Sequence, residues 1–351
     1  MLKLFTLIFV VFTLATCSQK KENTTTDFLI AHGQMPNIVK DKNNILHLVF
    51  GSGDSLLYSF SSNFGNSFSI PSLIAVLPNL AASHTRGPQI ASLNGNLIVI
   101  TCNDAGNIFS FSKEGAKAWI PSGKVNDVDT TAKENLIALS ADNQTAFAVW
   151  LDVRSNRKNK IYGSKSMDGG KTWLKNKMIY TSPDGTVCEC CKPSVLVAGN
   201  NVTVLFRNWI DGNRDMYLVQ STNGGNTFNN AKKLGANSWK LNGCPMDGGG
   251  LAIDKSGNIN TVWRREDKIF TTLPGVPEKQ LGVGRACTIE TINDKNIYAW
   301  TEKNDVVMLK ANGKKIIIGK GSSPILKALD DRKVICIWEE KQQIRGSVVE
   351  L

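Results

Sequence analysis

The sequence is poor in several features that mark common functional classes. It holds only 3 histidines among 351 residues, and its 41 basic residues are scattered with no run longer than two. A nucleic-acid-binding surface is typically a clustered basic stripe. The formal net charge of +11 therefore indicates a lysine-rich solvated surface and no nucleic-acid partner. Attraction to acidic substrates or anionic glycans is compatible with this charge.

Long apolar runs are also missing beyond the amino terminus. Lys3 precedes an apolar stretch from Leu4 to Leu14, which is too short to span a bilayer stably and is typical of a secretory signal. The LATC motif that ends at Cys17 resembles the lipobox of bacterial lipoproteins. This resemblance implies a signal peptide over residues 1–16, lipidation of Cys17 and a polar tether over 17–26. The expected location is the bacterial cell envelope, on the periplasmic or outer-membrane side. A secreted protein with a free Cys17 is the alternative.

Short strands at regular spacing dominate the rest of the chain. A strand ending in an aromatic residue recurs, for example at Phe50, Trp150 and Trp338. Each lies between two further strands, and the first turn carries Asn, Asp or Gly, as tight hairpins require. Seven copies of this unit, without a sustained helical period, predict an all-β fold over residues 27–351. That fold is a β-propeller with four-stranded antiparallel blades.

Two details of this propeller stay open at this point. Seven blades are favoured, and six are the alternative if one unit is absorbed into a neighbour. A β-sandwich is the other all-β alternative. The last unit ends on its third strand at the carboxyl terminus, and the early stretch 27–31 is expected to supply the fourth. Such pairing would close the ring and remove a free edge.

The turns after the third strands carry a recurrent motif. Residues 166–173, SMDGGKTW, match the Asp-box pattern S-x-D-x-G-x-T-W, residues 61–68 and 221–228 are close variants, and 112–119 is a decayed copy. The Asp or Asn side chain caps backbone N–H groups, and glycine takes the positive φ. On these motifs the chain resembles the sialidase-like, or BNR-repeat, propeller superfamily over nearly all of 27–351. That fold hosts many functions.

The resemblance implies a candidate ligand face. Sialidase-type enzymes would use an arginine triad against a carboxylate, and the planar arginine fork suits that task. Inner strands begin, and second strands end, on one face of a propeller. The candidate ligand-binding residues on that face are Arg86, Arg207, Arg214, Arg264, Arg285 and Asp247. The Phe-Arg-Ile-Pro motif that usually opens a sialidase propeller is missing, and catalytic residues therefore stay unassigned.

The cysteines form a second candidate site on the same rim. The residues concerned are Cys188, Cys190, Cys191, Cys244 and Cys287. Disulfides between neighbouring blades, such as Cys188 or Cys190 with Cys244, are one interpretation. A soft-metal site for copper or zinc is the second, because closely spaced thiolates favour these ions. A redox-active thiol pair is the third. Cys102 is expected on this rim as well, and Cys336 is expected to be a buried apolar residue.

Together these patterns predict a cell-envelope lipoprotein whose propeller binds a glycan, a small anion or a soft metal at the channel mouth. The membrane would be a partner through the lipid on Cys17. An exo-sialidase-type glycoside hydrolase and a protein-interaction scaffold are the alternatives.

Replacing Cys17 with serine tests the anchor. We expect the wild-type chain, expressed in a bacterial host, to partition into a detergent phase and to incorporate labelled fatty acid. The Cys17→Ser chain should remain in the aqueous phase, because the thiol that accepts the lipid is lost. Cys336→Ser serves as a matched control that keeps the anchor. Equal partitioning of wild type and Cys17→Ser would contradict the lipidation of Cys17.

Overall fold

The protein is a seven-bladed β-propeller built from 28 strands. The structure, a computed structural model, describes residues 27–351. The predicted signal peptide, Cys17 and tether lie outside this range. Seven four-stranded antiparallel sheets are arranged as blades, and the alternatives of six blades or a sandwich are wrong. Residues 27–351 form no helix, and so none that could cross a membrane.

Strands are numbered in chain order, and blades 1 to 6 each use four consecutive strands, from the channel outward. The first three blades consist of β2 Gln34–Lys40, β3 Leu46–Ser52, β4 Ser55–Ser61, β5 Ser72–Val76; β6 Gln89–Leu93, β7 Asn96–Cys102, β8 Ile108–Glu114, β9 Ile120–Lys124; and β10 Ile137–Ala141, β11 Ala146–Asp152, β12 Lys160–Ser166, β13 Lys177–Tyr180. The next three consist of β14 Ser194–Ala198, β15 Asn201–Arg207, β16 Met216–Ser221, β17 Lys232–Lys233; β18 Gly249–Ile253, β19 Ile259–Arg265, β20 Lys268–Thr272, β21 Lys279–Val283; and β22 Arg285–Ile292, β23 Lys295–Glu302, β24 Asp305–Leu309, β25 Lys315–Lys320. Blade 7 consists of β26 Ser322–Ala328, β27 Lys333–Glu340, β28 Gln343–Glu350 and β1 Phe28–His32.

The last blade is closed by the first strand. β1 pairs antiparallel with β28, with Phe28 opposite Gly346 and His32 opposite Gln343. An ion pair of 2.8 Å between Arg345 Nε and Asp27 Oδ2 supports the junction. The predicted closure is therefore confirmed. It joins the two ends of the described chain and leaves neither β1 nor β28 without a partner.

The core lies between neighbouring blades and is supplied by the second strand of each. Trp150, Trp263, Trp300 and Trp338 are all fully buried, at the positions that the repeat pattern predicts. Trp338 of blade 7, for example, packs in one apolar cluster with Ile297 of blade 6. Six of the seven second strands bury a large aromatic side chain, which makes those blades depend on their neighbours, whereas β7 of blade 2 buries aliphatic residues such as Ile98 and Val99 instead.

The Asp boxes form the local hydrogen bonds that their sequence predicts. In blade 3, Asp168 Oδ1 accepts from the Ser166 hydroxyl at 2.9 Å and from the Thr172 N–H at 3.0 Å. Gly170 has a φ of +81°, and a Cβ there would lie 2.5 Å from Ile98 of the preceding blade. The box therefore also fixes the approach of two blades, a structural role that accounts for its recurrence.

A substitution at Gly319 tests the packing between blades. A Cβ at this position would overlap the Trp338 ring, and the fully buried ring has little room to move. We expect Gly319→Ala to reduce the free energy of unfolding by about 1–3 kcal/mol, as overpacking typically does. Urea denaturation measures the loss. Gly243→Ala, where a Cβ would make only ordinary contacts, is the matched control. Equal stability of the two variants would contradict this account of the interface.

Candidate functional site

The propeller channel opens into a cavity on the face where the inner strands begin. Residues from the starts of all seven inner strands line an inner cavity of about 290 Å³. A second cavity of about 510 Å³ lies at its mouth, and the two share several lining residues, namely Met35, Thr85, Asp247, Ala286 and Ser323. The face predicted from strand direction therefore carries a continuous depression.

Backbone irregularities shape this mouth. The inner strands of blades 1, 6 and 7 each contain a register shift near their start, where Met35, Ala286 and Ser323 adopt positive φ values. Residues of this kind occur in β-bulges, which often re-aim side chains beside functional sites. Here the bulge amides have acceptors on neighbouring segments; the Ala286 N–H, for instance, donates to Asp247 Oδ2 at 3.0 Å.

Two cations at this site are largely free to meet a ligand. Lys192 lines the inner cavity and donates to Gln89 Oε1 at 2.8 Å, and burial lowers the pKa of its amine to about 8. Arg285 is exposed and lines the mouth. Its guanidinium has no ion-pair partner in the part of the chain that the structure describes. Thr85 lines both cavities, and its buried hydroxyl also lacks a hydrogen-bond partner within 27–351.

Arg207, in contrast, is committed to the protein itself. It is 1% exposed, and its three nitrogen groups donate to the carbonyl oxygens of Asp247, Arg214 and Arg264 at 3.2, 2.7 and 2.8 Å. The guanidinium also lies 5.3 Å from the centre of the Trp239 ring. This arginine ties blades 4 and 5 together, and its fork is not available to a ligand carboxylate.

Two of the other predicted arginines, Arg264 and Arg86, also have partners within the protein. Arg264 lies 3.6 Å from Asp247 Oδ2 and donates to the Glu266 carbonyl oxygen. Arg86 Nε donates to the Glu134 carbonyl oxygen at 2.8 Å, on another side of the mouth. The structure thus groups Arg207, Arg264 and Asp247 and places Arg86 apart from them.

Asp247 is a buried carboxyl at the centre of that group. It is 4% exposed, and burial raises the pKa of this carboxyl, while the Ala286 N–H and the positive charges of Arg207 and Arg264 act in the opposite direction. Its Oδ2 atom faces both the Ala286 bulge amide and the Arg264 guanidinium. The side chain therefore holds the cavity wall in place.

The cysteines form a buried sulfur cluster beside this wall. Cys190 is bonded to Cys244 in a disulfide that links two neighbouring inter-blade connections, as one of the interpretations predicts. Cys188 Sγ lies 3.7 Å from Cys190 Sγ and 3.5 Å from Cys191 Sγ. The Sγ atoms of Cys188, Cys190 and Cys191 all lie within 4.8 Å of one another, a group that could hold a metal ion.

Arg214 faces this cluster rather than the channel. Its Nη1 atom lies 3.0 Å from Cys188 Sγ and 3.5 Å from Glu189 Oε2, and its guanidinium lies 5.0 Å from the centre of the Trp209 ring. The hydrogen bond with Cys191, together with the positive charges of Arg207 and Arg214, lowers the pKa of Cys188 to about 7. Burial raises the pKa of Cys191 well above its usual range.

The remaining cysteines lie elsewhere. Cys287 lines the inner cavity and belongs to no sulfur group within residues 27–351. Cys102 Sγ contacts Asn135 Oδ1 at 3.1 Å, and Cys336 is fully buried in blade 7. Of the five predicted metal ligands, the structure therefore brings together Cys188, Cys190, Cys191 and Cys244.

Sequence reasoning missed Lys192 and Thr85. Lys192 follows Cys191 directly and precedes β14, so its position between the sulfur cluster and an inner strand was an available signal. The sequence gives no comparable signal for Thr85, because only the folded propeller shows that its hydroxyl has no hydrogen-bond partner in residues 27–351.

Comparison with known proteins supports the architecture. No protein-family model matches the sequence, and no curated protein does. Among solved structures, a protein of unknown function from Dyadobacter fermentans is 16% identical, with 93% of this chain and 98% of that chain covered and a TM-score of 0.51.

Two further structures match over most of their length. The BP39L lectin from Burkholderia pseudomallei is 10% identical, covering 92% of this chain and 97% of that chain with a TM-score of 0.65. A polysaccharide lyase described as ulvan lyase is 10% identical, covering 93% and 95% with a TM-score of 0.55. At these identities the comparisons show the fold alone. The chain is a seven-bladed β-propeller with Asp-box turns, the architecture that its resemblance to the sialidase-like superfamily implies.

Proposed function

We propose that this chain is a lipid-anchored protein of the bacterial cell envelope that binds an anionic saccharide or small anion at its channel mouth. The observation that carries the proposal is the pair Lys192 and Arg285, two cations that line joined cavities without a carboxylate partner in residues 27–351. An anion between them would supply the missing charge.

The acidic groups at the mouth support this assignment. Asp247 is held by Arg264 and by the Ala286 N–H. Glu339, which lines the outer cavity, accepts the Met35 N–H at 3.0 Å. Both carboxyl groups therefore already have hydrogen-bond donors, whereas Lys192 and Arg285 can still pair with a negatively charged ligand. The balance favours a negatively charged ligand over a cation.

The size of the depression suits a sugar or a small organic acid. Ordinary ligand pockets have volumes of roughly 300–1,000 Å³. The outer cavity, of about 510 Å³, lies within this range, and the inner cavity, of about 290 Å³, lies just below it. Thr85, which lines both cavities, adds a neutral hydroxyl without a partner in residues 27–351, a group of the kind that sugar hydroxyls need. Propellers of the same architecture include a lectin and a polysaccharide lyase, the latter seen with a GlcA-containing saccharide.

Glycoside hydrolysis of the sialidase type is less well supported. The fork of Arg207 is occupied by three carbonyl oxygens, and Arg214 faces the sulfur cluster. The two cavities, as described here, are lined by no tyrosine that could act as a nucleophile. Binding without hydrolysis is therefore the activity that we propose for the mouth.

The sulfur cluster supports a second ligand, a soft metal ion. We propose copper(I) or zinc, because Cys188, Cys190 and Cys191 place three sulfur atoms within reach of one ion. The disulfide engages Cys190 in this structure. Metal binding is therefore expected of the reduced chain, in which Cys244 would also be available.

Removal of the two free cations tests the anion site. Isothermal titration with glucuronate should give a Kd that rises about tenfold in Arg285→Ala and in Lys192→Met, since a lost charge-assisted contact costs roughly 1.5–3 kcal/mol. Arg332→Ala, an exposed arginine outside the two mouth cavities, is the matched control. Glucose in place of glucuronate shows whether the charge matters. An unchanged Kd in both mouth variants would refute the site.

The lowered pKa of Lys192 predicts a pH dependence. The amine loses its proton as pH rises through about 8, whereas an ordinary lysine stays charged to much higher pH. Glucuronate keeps its carboxylate charge throughout. We expect affinity to fall about tenfold between pH 7 and pH 9, and this dependence to disappear in Lys192→Met. A parallel pH profile in wild type and variant would show that another group is responsible.

A further inference from the structure

We propose that Cys188, Cys191 and the Cys190–Cys244 disulfide form a thiol–disulfide relay that connects a buried C-x-x-C pair to a solvent-facing sulfur. The inference does not depend on the ligand proposed for the channel. It assigns chemistry to a cluster that a purely structural disulfide would not need, because one bond already ties the two connections.

Proximity is the first argument. The disulfide sulfur Cys190 Sγ lies 3.7 Å from Cys188 Sγ and 4.0 Å from Cys191 Sγ. The two thiols are 3.5 Å apart. Each sulfur atom that takes part in exchange is therefore in contact with the atom it would attack or receive.

The charge beside Cys188 is the second argument. Arg214 places Nη1 at 3.0 Å from Cys188 Sγ, and Arg214 is itself only 5% exposed. A thiolate is the nucleophile in disulfide exchange, and an adjacent guanidinium stabilises it. Glu189 at 3.5 Å and the Trp209 ring hold the guanidinium from other sides. Of the two free thiols, Cys188 has this direct contact.

The difference in exposure is the third argument. Cys188 and Cys191 are 0% and 1% exposed, whereas Cys244 lies in an exposed segment between β17 and β18. Its neighbours Asn242, Gly243 and Met246 are exposed as well. Breaking the disulfide at Cys190 would release a thiolate that solvent and a second molecule can reach.

The exchange is balanced without an external oxidant or reductant. The Cys188 thiolate attacks Cys190 Sγ, a Cys188–Cys190 bond forms, and the Cys190–Cys244 bond breaks. Cys244 leaves as a thiolate and takes a proton from solvent. The Cys191 sulfur then attacks Cys188 Sγ, the Cys188–Cys190 bond breaks, and Cys190 leaves with the proton that the Cys191 thiol gives up. One disulfide and two thiols exist before and after, and the disulfide has moved to Cys188–Cys191.

A trapping experiment on the full chain tests the relay. The oxidised protein is incubated under native conditions with N-ethylmaleimide and EDTA, quenched in acid and digested without reduction. Mass spectrometry then locates label and disulfide. We expect labelled Cys244 to accumulate together with an internal disulfide in the peptide that holds residues 188–191. Cys188→Ser should slow labelling of Cys244 at least about tenfold, because the attacking sulfur is gone.

Arg214 variants distinguish chemistry from structure. Arg214→Gln should slow the labelling about tenfold, and Arg214→Lys should restore part of the rate, because charge rather than shape stabilises the thiolate. Cys336→Ala, a buried cysteine in blade 7, should label as wild type does. Thermal melting shows that each variant is folded. If Cys188→Ser does not fold, the comparison of the two Arg214 variants decides.

Four outcomes would overturn the relay. Labelling of Cys244 at the wild-type rate in Cys188→Ser would show that local opening or outside reduction exposes it. Labelling of Cys188 while the Cys190–Cys244 bond stays intact would show a static disulfide, as would a Cys244 that reacts only after denaturation. Equal rates in Arg214→Gln and Arg214→Lys would remove the role of charge.

Discussion

The pairing of β1 with β28 is the contact on which the rest of this molecule depends. Each blade buries apolar side chains of its second strand against a neighbour, so an open row of blades would expose one apolar face at either end. Joining the two ends of the described chain satisfies both faces at once. The same closure brings the starts of seven inner strands around one channel. Residues as distant in sequence as Met35, Lys192 and Arg285 thereby meet at a single opening.

The fold could be predicted from the sequence because its signals are local. An Asp box makes its hydrogen bonds within a few residues, as Ser166, Asp168 and Thr172 show. A tight turn between two short strands likewise forms its hydrogen bonds within the turn. One unit alone cannot bury its apolar face, but its repetition places equivalent residues such as Trp150 and Trp338 in buried positions of different blades. Only the closing strand requires long-range pairing, and there the incomplete last unit indicated that a partner was missing.

The site could be predicted only in part, because its partners come from different blades. Strand direction places Arg207, Arg214 and Arg285 on one face, but it does not say where each guanidinium points. Arg207 is held by carbonyl oxygens whose orientation depends on two separate connections and on strand β19. Lys192 and Arg285 likewise have no carboxylate partner in the described chain, and only the folded structure shows this. For the cysteines, spacing left Cys188 and Cys190 as equal partners of Cys244, and tertiary geometry selects Cys190.

The proposed anion site and the sulfur cluster are both supported by Arg207. Arg207 binds the carbonyl oxygen of Asp247, a wall residue of the channel, and that of Arg214, which contacts Cys188. Within residues 27–351 its hydrogen bonds go to carbonyl oxygens and to no carboxylate, so its charge adds to the positive potential around it. That potential favours a thiolate at Cys188, and it would also favour an anion bound in the neighbouring cavity. Removing this one guanidinium would leave three carbonyl oxygens without donors, and both sites would lose their shape as well as their charge.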